Sequence, residues 1–143
     1  MKTKLMLGFI LCSLFVLNSC STKQQKDETA EPKVSKVIGM VIGIKPEKIE
    51  EYKKLHADAN AGVRDLLTKY NMHNFSIFIK QFDDGKSYLF GYYEYTGNNY
   101  EADMAALDKE QRNIEWLETT DPLQIPFNGE TSWSQMERVY YNK

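Results

Sequence analysis

Ile38, Met40, Ile42 and Ile44 alternate along "KVIGMVIGI", which predicts a half-buried strand over Lys36–Ile44. Gly39 and Gly43 fall on its other side, where a neighbouring group can approach the backbone closely. The period then changes. Ile49, Tyr52, Leu55, Ala59, Val63, Leu66 and Tyr70 follow helical spacing, with Pro46 in the first turn and Glu47, Glu50 and Glu51 at its positive end. "ADANAG" is a weak middle for that helix, and a bend is expected there. "NFSIFIKQF" returns to alternation, "DDG" marks a hairpin turn, and "KSYLFGYYEYT" reads as the paired strand. Asn98 or Asn99 caps a second helix carrying Tyr100, Met104 and Leu107, which "RNIEWL" extends or restarts. "TTDPLQIPFNGETS" reads as a loop and "WSQMERVYYN" as a closing strand.

The order is β-α-β-β-α-β, the ferredoxin-like arrangement of an α+β domain, with an antiparallel sheet and its helices on one face. The other face of such a sheet is apolar and uncovered, so face-to-face pairing into a homodimer, a dimeric α/β barrel, is expected.

The chain's start carries a different pattern. Lys2 and Lys4 precede an apolar run from Leu5 to Leu17, too short for a membrane span of ~20 residues and suited to a secretory signal. The run stops at "LNSC", which resembles a bacterial lipoprotein box and implies lipidation of Cys20. Residues 1–20 are then the signal with its lipobox, 21–35 a flexible polar tether, and 36–143 the folded domain. The expected location is the bacterial cell envelope, with membrane contact only through the N-terminal lipid anchor.

Composition narrows the chemistry. Removal of Lys2 and Lys4 with the signal moves the formal charge from −2 to −4, which argues against a nucleic-acid partner. Cys12 leaves with the signal and Cys20 carries lipid, so no thiol remains for a disulfide, a nucleophile or a zinc site. Two histidines without a clustered third ligand give no metal site, and no phosphate loop, nucleophile elbow or HExxH is present.

One stretch stands out. In "EEYKKLHADA", His56 lies four residues after Tyr52, so an imidazole and a phenol share one side of a helix. The second histidine opens "HNF", His73 to Phe75, at the start of the next strand. Read alone, the pair is a possible acid/base site. Equally, it is a core tyrosine beside a partly buried histidine satisfied by a backbone carbonyl.

"EEYKKLH", "HNFSIFI", "YLFGYYEY" and "EWLETTDPLQ" together resemble the L-rhamnose mutarotase family, from Ile38 to Tyr141. Its most specific element is Tyr-x-x-x-His followed by His-Asn-aromatic, here Tyr52, His56, His73, Asn74 and Phe75. The resemblance implies that His56 moves the proton and Tyr52 binds the sugar. It places Trp116 and Phe75 on the sugar's apolar face, and makes His73, Glu115, Asp121 and Gln124 candidate polar partners. Three positions depart from the family: Phe75 replaces a tyrosine, Glu115-Trp116 a tandem tryptophan, and Asn60-Ala61 a Trp-Pro. The implied activity is interconversion of the anomers of a monosaccharide, L-rhamnose or a related deoxy-hexose, by acid/base ring opening without cofactor or metal. Two alternatives share this frame: a tethered sugar-binding lipoprotein without turnover, and a cofactor-free ferredoxin-like monooxygenase.

Overall fold

A computed structural model describes residues 33–142. The signal segment, Cys20 and most of the tether lie outside the described residues. The described residues begin just before the first strand. Ser35 donates its backbone N–H to the Tyr95 carbonyl at 2.8 Å and its hydroxyl to the Gly97 carbonyl at 2.7 Å.

The elements are β1 (Lys36–Ile44), α1 (Ile49–Leu55), α2 (Arg64–Lys69), β2 (Met72–Gln81), β3 (Ser87–Tyr95), α3 (Tyr100–Leu107), α4 (Gln111–Thr120), β4 (Gln124–Ile125) and β5 (Ser134–Met136). The sheet is antiparallel in the order β2-β3-β1-β4, and β5 also pairs with β1. β4 and β5 together therefore fill the fourth position of the ferredoxin-like sheet.

Register explains which side is core. Ile38, Met40 and Ile42 of β1 stand opposite Tyr93, Gly91 and Leu89 of β3, so these residues share one face. That face meets the helices in two adjoining clusters. One contains Ile38, Val63, Leu66, Met72, Tyr93, Tyr95 and Leu107; the other contains Ile42, Ile44, Tyr52, Leu89 and Leu123. Each fully buried aliphatic side chain contributes about 1.5–3 kcal/mol, so these rows hold the helices to the sheet. The opposite face is apolar and open. Phe78 is 63 % exposed and Tyr92 37 % exposed.

The structure departs from the sequence pattern in three places. The long helix is two short ones separated by the turn 56–63, and Ala59 is exposed rather than on a packed face. Arg64 explains the break. Its guanidinium donates to the carbonyls of Asn60 at 2.5 Å, His56 at 2.9 Å and Ala57 at 3.3 Å, which a continuing helix would have used internally. Gly62 adopts φ +53, outside helical geometry. Second, Gln124–Ile125, read as loop, pairs with Ile44 and Gly43. Third, the closing strand is confined to Ser134–Met136; beyond it the tail leaves the edge of β1, and Val139, 87 % exposed, finds no surface to bury against. The capping expectation resolves to Asn99, whose side chain accepts from the Ala102 N–H at 3.2 Å.

Candidate active site

Between the helices and the inner face of the sheet lies a cavity of about 690 Å³. Helices α1 to α4, the 56–63 turn, strands β1 to β4 and the segment that precedes β5 contribute to its wall.

Tyr52 and His56 come from the last turn of α1. Tyr52 is a core residue, 5 % exposed, and His56 caps the helix C-terminus. Their rings stack at 4.1 Å with an interplanar angle of 24°. The Tyr52 carbonyl accepts both the His56 backbone N–H at 3.1 Å and the His56 Nδ1–H at 2.9 Å. A carbonyl only accepts, so Nδ1 must carry the proton, and in the neutral ring Nε2 is the free base. Burial lowers the His56 pKa, partly offset by the carbonyl bond, and the Arg64 charge lowers it further. At neutral pH the ring is therefore a neutral base. Burial, with a smaller contribution from the Asp121 carboxylate, pushes the Tyr52 phenol above its ordinary range, so it stays protonated and can donate.

Trp116, on α4, sets its indole edge against the His56 ring at 5.2 Å and 70°. The indole also lies over Gly62. A Cβ there would come within 3.3 Å of the Trp116 Cη2 and Cζ3 atoms, so glycine admits both the turn and the ring. Asn60 fixes this turn by accepting the Gly62 N–H on its side-chain oxygen at 3.1 Å.

β2 supplies the far wall through an irregularity. The register to β3 shifts between His73 and Ser76, and Asn74 adopts φ 52. This bulge lets Met72 and Phe75 both pack against the helix-facing core. Phe75 stacks on Tyr93 at 5.3 Å and 14°, and the Tyr93 and Tyr100 hydroxyls are 2.6 Å apart. The Asn74 amide donates to Glu94 at 2.7 Å.

The sequence candidates sort clearly. Tyr52, His56, His73, Phe75, Trp116 and Gln124 all line the cavity. Glu115 does not. It is exposed and accepts from the Gln111 amide at 3.0 Å, because one step along α4 from Trp116 turns a side chain away from the sheet. Asp121 is exposed and outside the lining, although partial desolvation raises its carboxyl pKa. Sequence reasoning missed Asn113, Thr120, Tyr93 and Trp133, which also line the cavity. Asn113, Trp116 and Thr120 have helical spacing, so a polar stripe on the buried face of α4 was the available signal. Among the described residues no group of three His, Cys, Asp or Glu side chains is placed to hold a metal. None of the described helices is long and apolar enough to cross a membrane.

A family model for L-rhamnose mutarotase matches residues 37–142. No curated protein matches the chain by sequence. Among solved structures, an L-rhamnose mutarotase from Formosa agariphila superposes with a TM-score of 0.56 at 18 % identity, over 76 % of this chain and 100 % of that one. A Nitrosomonas europaea protein described as an antibiotic biosynthesis monooxygenase gives a TM-score of 0.43 at 17 % identity, over 73 % of this chain and 89 % of that one.

Proposed function

The chain belongs to the L-rhamnose mutarotase family, and from that premise we propose that it interconverts the α and β anomers of L-rhamnose or a closely related deoxy-hexose. The observation that carries this reading is the pinning of His56 Nδ1 by the Tyr52 carbonyl, inside a cavity that also holds Trp116. It leaves Nε2 as the proton-transfer atom. In the proposed reaction Nε2 takes the proton of the anomeric hydroxyl, a C1=O bond forms and the C1–O5 electron pair moves to O5. The Tyr52 phenol hydrogen-bonds the developing O5 charge, and the proton now on Nε2 is delivered to O5, which returns His56 to its neutral form and leaves the open-chain aldehyde. Rotation about C1–C2 and reversal of the transfers close the ring as the other anomer. Positioned acid/base groups supply ~10²–10⁴-fold, which suffices for a reaction that already proceeds unaided.

Trp116 and Phe75 would pack on the apolar face of the ring, with Gln124 and His73 as hydroxyl partners. The open sheet face bearing Phe78 and Tyr92 supports pairing of two copies, and "LNSC" supports anchoring at the cell envelope through Cys20. Loss of membrane association in a Cys20→Ala chain, read by fractionation, tests the anchor.

The activity is tested by NMR saturation transfer between the anomers of L-rhamnose, with wild type, His56→Ala and Tyr52→Phe. Exchange faster than buffer in wild type and lost in His56→Ala supports the reading. Binding without accelerated exchange would make the protein a sugar-holding lipoprotein instead.

A further inference from the structure

We propose that Trp133 is a second, specificity-determining indole of this site, one that receives the apolar C5-methyl end of a 6-deoxyhexose. The proposal rests on the mutarotase reading and deepens it.

The edge strand that completes the sheet is interrupted. Ile125 pairs with Gly43 and Ser134 with Val41, so residues 126–133 stand opposite the single position Ile42. This excursion is built rather than loose. Phe127 stacks on Tyr88 at 5.8 Å and 7°, the Glu130 N–H donates to the Phe127 carbonyl at 3.0 Å, and the Ser134 hydroxyl donates to Glu130 at 2.5 Å. Residues 126–132 are all exposed, whereas Trp133 turns inward and is half-buried. Its indole lines the same cavity as His56 and Trp116.

The sheet is cleared to admit it. A Cβ at Gly91 would meet Trp133 Cζ3 at 3.3 Å and Met40 Cε at 2.7 Å, so the indole and the methionine lie on bare backbone. Trp133 packs on the cluster of Ile42, Leu89 and Leu123, joined by Leu55 and Ile77, which is aliphatic apart from the Tyr52 ring. Among these side chains only the Tyr52 phenol could pair a hydroxyl, and the proposed reaction engages it at O5, so a C6 hydroxyl there is poorly satisfied at a cost that a methyl group does not incur. An indole offers that methyl a large rigid surface at small conformational cost. The corner is thus shaped for the end of the sugar that lacks oxygen.

L-Rhamnose and L-mannose differ only in the hydroxyl on C6, so their exchange rates isolate this contact. Wild type is expected to favour L-rhamnose, with the preference bounded at about 10²-fold because an apolar wall rejects an added hydroxyl weakly. Trp133→Ala and Trp133→Phe are expected to slow L-rhamnose exchange by about 2- to 10-fold, the range of one aromatic contact, while leaving L-mannose nearly unchanged. Equal losses for both sugars would make Trp133 a structural wall and overturn the proposal. The chain has two tryptophans, so the wild type labelled with 5-fluorotryptophan gives an independent ¹⁹F reading that needs no variant to be active. Movement of the Trp133 resonance with L-rhamnose supports the proposal. Movement of Trp116 alone overturns it while sparing the mutarotase reading, and movement of neither overturns both.

Discussion

The main-chain oxygen of Tyr52 holds His56 twice, by the backbone N–H at 3.1 Å and by Nδ1 at 2.9 Å. One acceptor therefore closes the last helical turn and selects the tautomer of the histidine at its end. The same atom that makes His56 look like a satisfied core histidine also leaves Nε2 basic. Structural and catalytic readings of this residue are the same geometry seen from its two nitrogens.

His56→Ala is accordingly expected to lower anomeric exchange by about 10²-fold or more, the range of a lost acid/base group. Its cost to stability should be modest, since the ring is half-buried and loses one hydrogen bond, worth about 1 kcal/mol. Saturation transfer and a thermal melt on the same sample separate the two effects.

The depressed His56 pKa gives two pH signatures. Activity should hold across neutral pH and fall on the acid side, with a midpoint below the ordinary histidine value of ~6.5, as Nε2 takes up a proton and ceases to be a base. Stability follows the same sign. The unfolded chain binds this proton more readily than the folded one, so stability rises with pH from below the folded pKa up to the unfolded value. His56→Ala should flatten that segment of a stability–pH curve measured by urea denaturation. An unchanged slope would remove His56 as its source.

Arg64 reaches His56 only through the main chain, by the bond from its guanidinium to the His56 carbonyl at 2.9 Å, and through its charge. It is a positioning residue. Arg64→Ala removes three exposed hydrogen bonds to carbonyls and should destabilise the domain by about 1–3 kcal/mol, at about 0.5–1.5 kcal/mol each at most, and slow exchange severalfold. It should also move the acid limb of the activity profile upward, toward the ordinary histidine value, because the lowering charge is gone. A purely structural role would change the melting temperature and leave that midpoint in place.

The sheet, its helix-facing rows and the Tyr52–His56 pair were legible because each depends on local period: two for Ile38 to Ile44, four between phenol and imidazole. What escaped depended on particular contacts and irregularities rather than on period. The helix breaks at His56 because Arg64 captures three carbonyls, which spacing alone does not encode. Phe75 turns inward through a one-residue bulge, and a strand pattern without that bulge misplaces its neighbours. The pattern makes Trp133 the first residue of a strand, but the edge opposite Ile42 is broken by the loop that delivers it. Glu115 occupies the family's tandem-tryptophan position next to Trp116, but a helix places adjacent residues 100° apart.

Gly62 sits where the 56–63 turn meets the Trp116 indole. Its φ of +53 is a region that favours glycine, and a Cβ would approach the Trp116 ring at 3.3 Å. Gly62→Ala therefore meets two costs: about 1–2 kcal/mol for a left-handed alanine, and displacement of the indole. The second cost carries the functional effect. Trp116 sets its edge against His56 at 5.2 Å, so moving the indole loosens both the proposed stacking surface for the sugar and the imidazole's lateral support. The expected result is weaker L-rhamnose binding by calorimetry, a lower melting temperature and an altered tryptophan emission. Asn60→Ala, which removes the 3.1 Å bond to the Gly62 N–H without touching the indole, should reproduce part of the stability loss and little of the spectral change. Equal spectral changes in the two variants would place the control of Trp116 in the turn as a whole rather than at Gly62.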